Sequence, residues 1–304
     1  MVNQLRASVF VLIAAGAVTA VYAQQQIAFF VAATTQTGET VTDLKAEEVI
    51  FAEGDRRGTV VKVVPVTWPV KVTVLVDNGF GTGQMLSLYR TGLKTLFAAL
   101  PTGVEASLLT LAPQPRWVVR PTNDRIQLSK AVERLAPDEG APRMVEGLIE
   151  AAKRVDDENK KQVTYFPVIV ILSTTGPEGS TTSARLVDRM ANQLASYPAR
   201  VHVIMLGNGV TSSTTVAGAR QVHLGKTMAD LTGGRYEAIA APSAIPTLLG
   251  EFGAMIAEAH NFQRRQYMVT AERPAGATGA MGQLGAGSTR PGVKFTVTAQ
   301  GLKP

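Results

Sequence analysis

Val70-Lys71-Val72-Thr73-Val74-Leu75-Val76 runs into Asp77-Asn78-Gly79-Phe80-Gly81-Thr82-Gly83. Met85, Leu86, Leu88, Leu93, Leu96, Phe97 and Leu100 then recur in a helical pattern until Pro101. The run from Val72 to Val76 is β-branched and almost wholly apolar. Such a strand is buried on both faces, which places it in the middle of a parallel sheet. The glycine-rich turn then lies at the strand's carboxyl end, where open α/β sheets hold their ligands.

Downstream, strands and helices alternate. Val104 to Leu111 and Arg116 to Arg120, joined through Pro113-Gln114-Pro115, read as an antiparallel pair at a sheet edge. Asp124 caps a helix whose apolar positions are Ile126, Leu128, Val132 and Leu135. Past the loop Pro137 to Pro142 comes a helix from Met144 to Val155. A buried strand, Phe166 to Leu172, ends at Ser173-Thr174-Thr175-Gly176-Pro177. A helix from Ser183 to Ser196 and a strand from Arg200 to Leu206 follow, then Gly207-Asn208-Gly209. A helix from Gln221 to Leu231, closed by Gly233-Gly234, a strand from Arg235 to Ile239 and a helix from Pro246 to Phe262 complete the series. This alternation predicts an α/β fold: a doubly wound, mostly parallel sheet flanked by helices.

The two ends differ. Ile27 to Ala33, Glu48 to Ala52 and Thr59 to Val66 read as strands, with turns at Thr37-Gly38-Glu39 and Gly54 to Gly58. This β piece has too little core to stand alone. Gln266 to Ala271 and Val293 to Ala299 are also strand-like, around a glycine- and alanine-rich stretch, Gly276 to Gly287, that reads as a mobile loop. The end strands are expected to pack together as a small β-sandwich-like domain with the α/β domain inserted. The division is 1–23, a signal peptide; 24–68, the N-terminal β piece; 69–263, the α/β domain; 264–304, the C-terminal strands.

Met1 to Ala23 reads as a secretory signal: Arg6, apolar Val9 to Ala20, and small or medium residues at Val21-Tyr22-Ala23. The alternative is an uncleaved anchor, although the apolar core is shorter than the roughly 20 residues of a span. Export to the periplasm or beyond is expected, with no membrane span in the mature chain. The absence of cysteine excludes disulfides, thiolate metal sites and cysteine nucleophiles. The net charge is +6 and the pI about 9.6, yet bases alternate with acids, as in Lys153 to Glu158, so nucleic acid is not an expected partner.

Catalytic patterns are missing. There is no Gly-x-Ser-x-Gly elbow, and His202, His223 and His260 are dispersed, without zinc-ligand spacing. Met85, Met190, Met205 and Met255 read as core fillers. The turn Gly79 to Gly83 could cradle a phosphate at a helix start. It lacks the lysine of a phosphate loop, and Gln84 takes the last glycine position of Gly-x-Gly-x-x-Gly.

The strand running into Asp77, the hairpin at Pro113, the loop at Gly140, the strand ending at Ser173 and Leu231-Thr232-Gly233-Gly234-Arg235-Tyr236 follow in an order that resembles a von Willebrand factor type A domain. Val41 to Val49, Arg265-Gln266-Tyr267 and Val293-Lys294-Phe295 resemble the bacterial secreted proteins called VWFA-related, frequent in acidobacteria. The resemblance spans nearly all of the mature chain. It implies a divalent cation at the crown of the sheet, held by Asp-x-Ser-x-Ser, a threonine and a further aspartate, and completed by a partner's carboxylate.

Asp77 matches the first aspartate of that set. The serine positions fall on Gly79 and Gly81, the threonine on Ala141 or Pro142, and the last aspartate on Thr174 or Thr175. Magnesium takes about six oxygens, usually with one or two carboxylates, so neither magnesium nor manganese is an expected cofactor and Asp77 is the single candidate ligand. Its ordinary role is to cap the following helix or accept turn amides. The expected function is an exported, non-catalytic interaction module without an obligatory metal. Its candidate contacts to an unidentified protein are Asp77, Asn78, Gly79, Phe80, Gly81, Thr82, Asp138, Glu139, Pro142, Arg143, Thr174 and Thr175. The competing readings are a weak cation-dependent adhesion module assisted by Asp138 and Glu139, a nucleotide or anion binder at Gly79 to Gly83, and an envelope scaffold docking through the β piece.

Overall fold

The computed structural model describes residues 25–207, 216–277 and 282–298. The expected signal peptide, Asn208, Gly209 and Ala299 lie outside them. The strands of the α/β domain are β5 (Val70–Val76), β6 (Glu105–Thr110), β7 (Arg116–Thr122), β8 (Phe166–Thr174), β9 (Arg200–Leu206) and β10 (Tyr236–Ile239). Its helices are α1 (Leu86–Ala99), α2 (Arg125–Glu133), α3 (Met144–Lys160), α4 (Ala184–Ala195), α5 (Val216–Thr232) and α6 (Ile245–Gln263). Before it come β1 (Gln26–Thr34), β2 (Val49–Glu53), β3 (Arg56–Arg57) and β4 (Thr59–Pro65). After it come β11 (Gln266–Glu272), β12 (Leu284–Ser288) and β13 (Lys294–Thr298).

The central sheet has the order β10-β9-β8-β5-β6-β7, parallel throughout except for the antiparallel edge strand β7. β5 is interior, as its apolar run requires. Val72, Val74 and Val76 enter one core layer with Leu93 and Leu96 of α1 and Leu249 and Phe252 of α6. Leu75 enters the opposite layer with Leu109, Ile171 and Leu148 of α3. With both faces covered, the strand is apolar throughout from Val74 to Val76, while the polar Lys71 and Thr73 lie nearer its start and are half-buried.

The chain ends complete each other. β1 is flanked on both sides by C-terminal strands, in a sheet of order β13-β1-β11-β4 whose neighbours are all antiparallel. A second sheet, β12-β2-β3, covers it. Phe29, Val31, Phe51, Tyr267 and Val269 fill the space between, with the Phe29 and Phe51 rings 5.3 Å apart. The buried pair Glu53–Arg273 (2.5 Å) ties β2 to the end of β11, and Arg290 holds Asp43 and Glu48, each at 2.7 Å. Phe30 points the other way and meets Trp68 and Phe166, each at 5.4 Å, at the base of the α/β domain.

Three local expectations are corrected. The stretch Gly276 to Gly287 is not all loop: Leu284–Ser288 is strand β12, paired with β2 from Leu284 opposite Glu53 to Ser288 opposite Val49. Its small side chains gave no strand signal, but the backbone groups of β2 supply the ladder whatever the side chain. Ile126 is 68 % exposed, because it stands two residues before Leu128 and so on the opposite side of α2 from Leu128, Ala131 and Val132. α3 runs past Val155 to Lys160, carried by the i,i+4 pairs Arg154–Glu158 and Asp156–Lys160. Among the described residues no helix is long and apolar enough to cross a membrane.

Candidate functional site

β5 and β8 lie side by side with Val76 opposite Leu172. Just beyond them, at the point where the strand order turns back, Asp77 and Thr174 meet. The amide of Asp77 continues the ladder to Leu172 O at 2.8 Å. Its carboxylate lies beneath the crown, fully buried. Oδ1 accepts the Gly79 amide at 2.9 Å; Oδ2 accepts the Thr174 amide at 3.2 Å and the Thr174 hydroxyl at 2.8 Å. Burial raises the pKa of Asp77, and these three hydrogen bonds oppose the rise. Thr174, not Thr175, is thus the residue of the third loop that faces the carboxylate.

The neighbouring loops are locked to the same turn. Asn78 Oδ1 accepts from the Ala112 amide and its Nδ2 donates to Ala136 O, both at 3.0 Å, while its carbonyl accepts the Asp138 amide at 2.7 Å. The Phe80 amide donates to Gly140 O at 3.2 Å, and Asp138 Oδ1 accepts the Gly140 amide at 3.0 Å. Thr82 sends its hydroxyl to Gly79 O at 2.7 Å. Gly81 has a φ of +85°, a conformation that suits glycine. A β-carbon on Gly79 would stand 2.7 Å from Gly140 O and 2.8 Å from Pro142 Cδ. The third loop is fastened by Gly179 N to Pro142 O (2.8 Å) and Gln221 Nε2 to Gly176 O (3.0 Å).

This arrangement divides the candidate contacts. Phe80, Gly81 and Glu139 are exposed, and Asp138, Arg143, Thr174 and Thr175 are half-buried. Asp77, Asn78, Gly79, Thr82 and Pro142 are buried within the packed loops. Asp77 accepts turn amides but does not cap α1. That helix begins at Leu86, after a 3₁₀ turn over Gly83–Met85, too far along the chain for a carboxylate at the strand end. Phe80 is 74 % exposed, the most of any large apolar residue described.

Sequence reasoning missed three buried polar residues near the crown: Tyr89, Ser173 and Gln221. Tyr89 was detectable, since it breaks the apolar face formed by Leu86, Leu93 and Leu96. Its hydroxyl is buried with no partner among the described residues, and burial together with the charge of Asp77 raises its pKa. Among the described residues no group of three or more His, Asp or Glu side chains is placed to hold a metal ion.

No family model and no curated protein matches the sequence. Solved structures do. A von Willebrand factor type A protein from Catenulispora acidiphila superposes with a TM-score of 0.52 at 13 % identity, over 91 % of this chain and 74 % of that one. The chain has the von Willebrand factor type A fold. A second match is the pilus adhesin SpaC from Lactobacillus rhamnosus GG in its open conformation, with a TM-score of 0.52 at 9 % identity, over 85 % of this chain and 48 % of that one. At such identities the likeness is one of fold.

Proposed function

We propose that this chain is a non-catalytic protein-interaction module, exported from a bacterial cell, which holds its partner directly with the crown loops and needs no bridging cation. The observation that carries the reading is the packing at Gly79. The side of that residue where a serine would offer its hydroxyl is occupied by Gly140 O and Pro142. A hard divalent ion takes about six oxygens at about 2.1 Å. The one buried carboxylate of the turn already serves three donors, and the Thr82 hydroxyl is directed to Gly79 O. The residues present do not fit such an ion.

What remains outward is a rigid loop tip carrying Phe80, flanked by Asp138 and Glu139. A side chain displayed on a pinned backbone loses little freedom on binding, which favours direct contact. The reading of residues 1–23 as a secretory signal supports export. The anion-binding alternative is weakened by the Asp77 carboxylate under the same turn.

Thermal melting in magnesium, in manganese and in EDTA tests the cation-free reading: the midpoint is expected to stay put, and a saturable rise with either metal overturns it. A nucleotide panel in the same assay tests the anion reading. Crosslinking in the native cells, with wild type against Phe80→Asp, tests the binding face. The expected result is a crosslinked species present for wild type and lost in the variant; equal crosslinking overturns the assignment of the crown.

A further inference from the structure

We propose that the partner received by the crown is a second copy of this chain, joined head to tail, with Phe80 of one copy seated in an apolar crevice at the amino end of the next copy's sheet. This rests on the crown being the binding face. The crevice lies where α6 leaves the α/β domain. A cavity of about 120 Å³ there adjoins a second, more open hollow, and the two share Phe166, Pro198, Arg200, Ala259 and Gln263. Phe262 lines the open part while remaining 42 % exposed.

Three observations match knob to socket. The first is size: an apolar protein cavity of about 150 Å³ accommodates benzene, so a hollow of this order suits one phenyl ring. The second is charge. Asp138 and Glu139 flank the knob, whereas Arg200 lines both parts of the socket, and none of the three makes an ion pair among the described residues. Opposite signs at the two ends steer them together. The third is an idle acceptor: Gln263 Oε1 is buried without a partner among the described residues, available to an amide of an incoming loop. Because knob and socket sit at opposite ends of one sheet, the contact is heterologous, and it propagates into open chains or rings instead of closing as a twofold dimer.

Sedimentation velocity on the exported chain, from micromolar to millimolar concentration, is the test. The mean mass of wild type is expected to rise with concentration, less so at high salt. Phe80→Asp and, separately, Phe262→Asp are expected to weaken the association at least tenfold. Ala259→Phe, which plugs the socket without adding charge, should do the same, with circular dichroism confirming that each variant is folded. Phe80→Asp keeps its socket and Phe262→Asp keeps its knob, so an equimolar mixture is expected to form one-to-one pairs and nothing longer. A wild type that stays monomeric throughout overturns the second copy as partner, while the crosslinking result for Phe80→Asp still decides the crown. Assembly indifferent to Phe80→Asp, or variants that fail to pair when mixed, overturns the knob-and-socket contact itself.

Discussion

Thr174 gives both its hydroxyl, at 2.8 Å, and its amide, at 3.2 Å, to a single carboxylate oxygen of Asp77, a residue 97 positions away in the chain. The pair closes the seam between β5 and β8 at the crown. Thr174→Val keeps the shape and removes the hydroxyl, leaving a buried carboxylate one donor short. The expected loss is about 1.5–3 kcal/mol, the worth of a hydrogen bond to a charged group. Urea unfolding should show a lower midpoint at unchanged slope, with Thr174→Ser close to wild type. An unchanged midpoint for the valine variant would show that the carboxylate does not lean on this hydroxyl.

Gly79→Ser restores the serine that the resemblance expects. It also places a β-carbon 2.7 Å from Gly140 O and 2.8 Å from Pro142 Cδ. Overpacking of this kind costs about 1–3 kcal/mol. The variant is expected to be less stable and to show no magnesium heat in titration calorimetry. A saturable heat would mean that the second loop yields to make room.

His202 lies buried in β9, with its Nδ1 accepting the Arg235 amide at 3.0 Å. Burial, helped by the charges of Arg200 and Arg235, pushes its pKa down to about 4 from an ordinary 6.5. The unfolded chain therefore binds the proton first. The contribution of His202 is fully present above pH 6.5 and is lost as pH falls through about 4. Urea midpoints measured across that window should fall for wild type. His202→Asn, which can still accept the Arg235 amide, should lack this component. Parallel curves for the two proteins would refute the assignment.

Glu53 behaves in the opposite chemical sense but with the same direction in pH. The hydrogen bonds from Arg273, then the Gly282 amide, hold its pKa down to about 2 from 4.5. A depressed acid stabilises the fold above the unfolded value and ceases to do so as pH falls through the folded one. Glu53→Gln is expected to be less stable than wild type at neutral pH, with the difference shrinking between pH 4.5 and about 2. A difference that stays constant over that range would place the role of Glu53 in packing, not in charge.

Much of this was readable in the chain. The apolar run into Asp77, the Asp124 cap on α2 (Ile126 N at 2.8 Å and Gln127 N at 3.1 Å from its Oδ1) and the spans of β9 and α6 are local matters. The strand β12 was not readable, because Leu284-Gly285-Ala286-Gly287-Ser288 has no side-chain pattern and becomes a strand through the edge that β2 offers it. The crown was readable as a set of loops but not as a surface. Asn78 and Thr82 look like contact residues in sequence, and only the packed structure turns them inward.

By itself the sequence determined the alternation of elements, the centrality of β5 and the mutual need of the two chain ends. Each of these follows from side-chain pattern or composition, which are properties of neighbours along the chain. Only the tertiary structure decided that Thr174 and not Thr175 meets Asp77, that Gly140 and Pro142 close the space beside Gly79, and that Phe80 is left standing outside. These depend on how three loops from distant segments interlock, and the van der Waals fit between distant backbones is encoded in no single stretch.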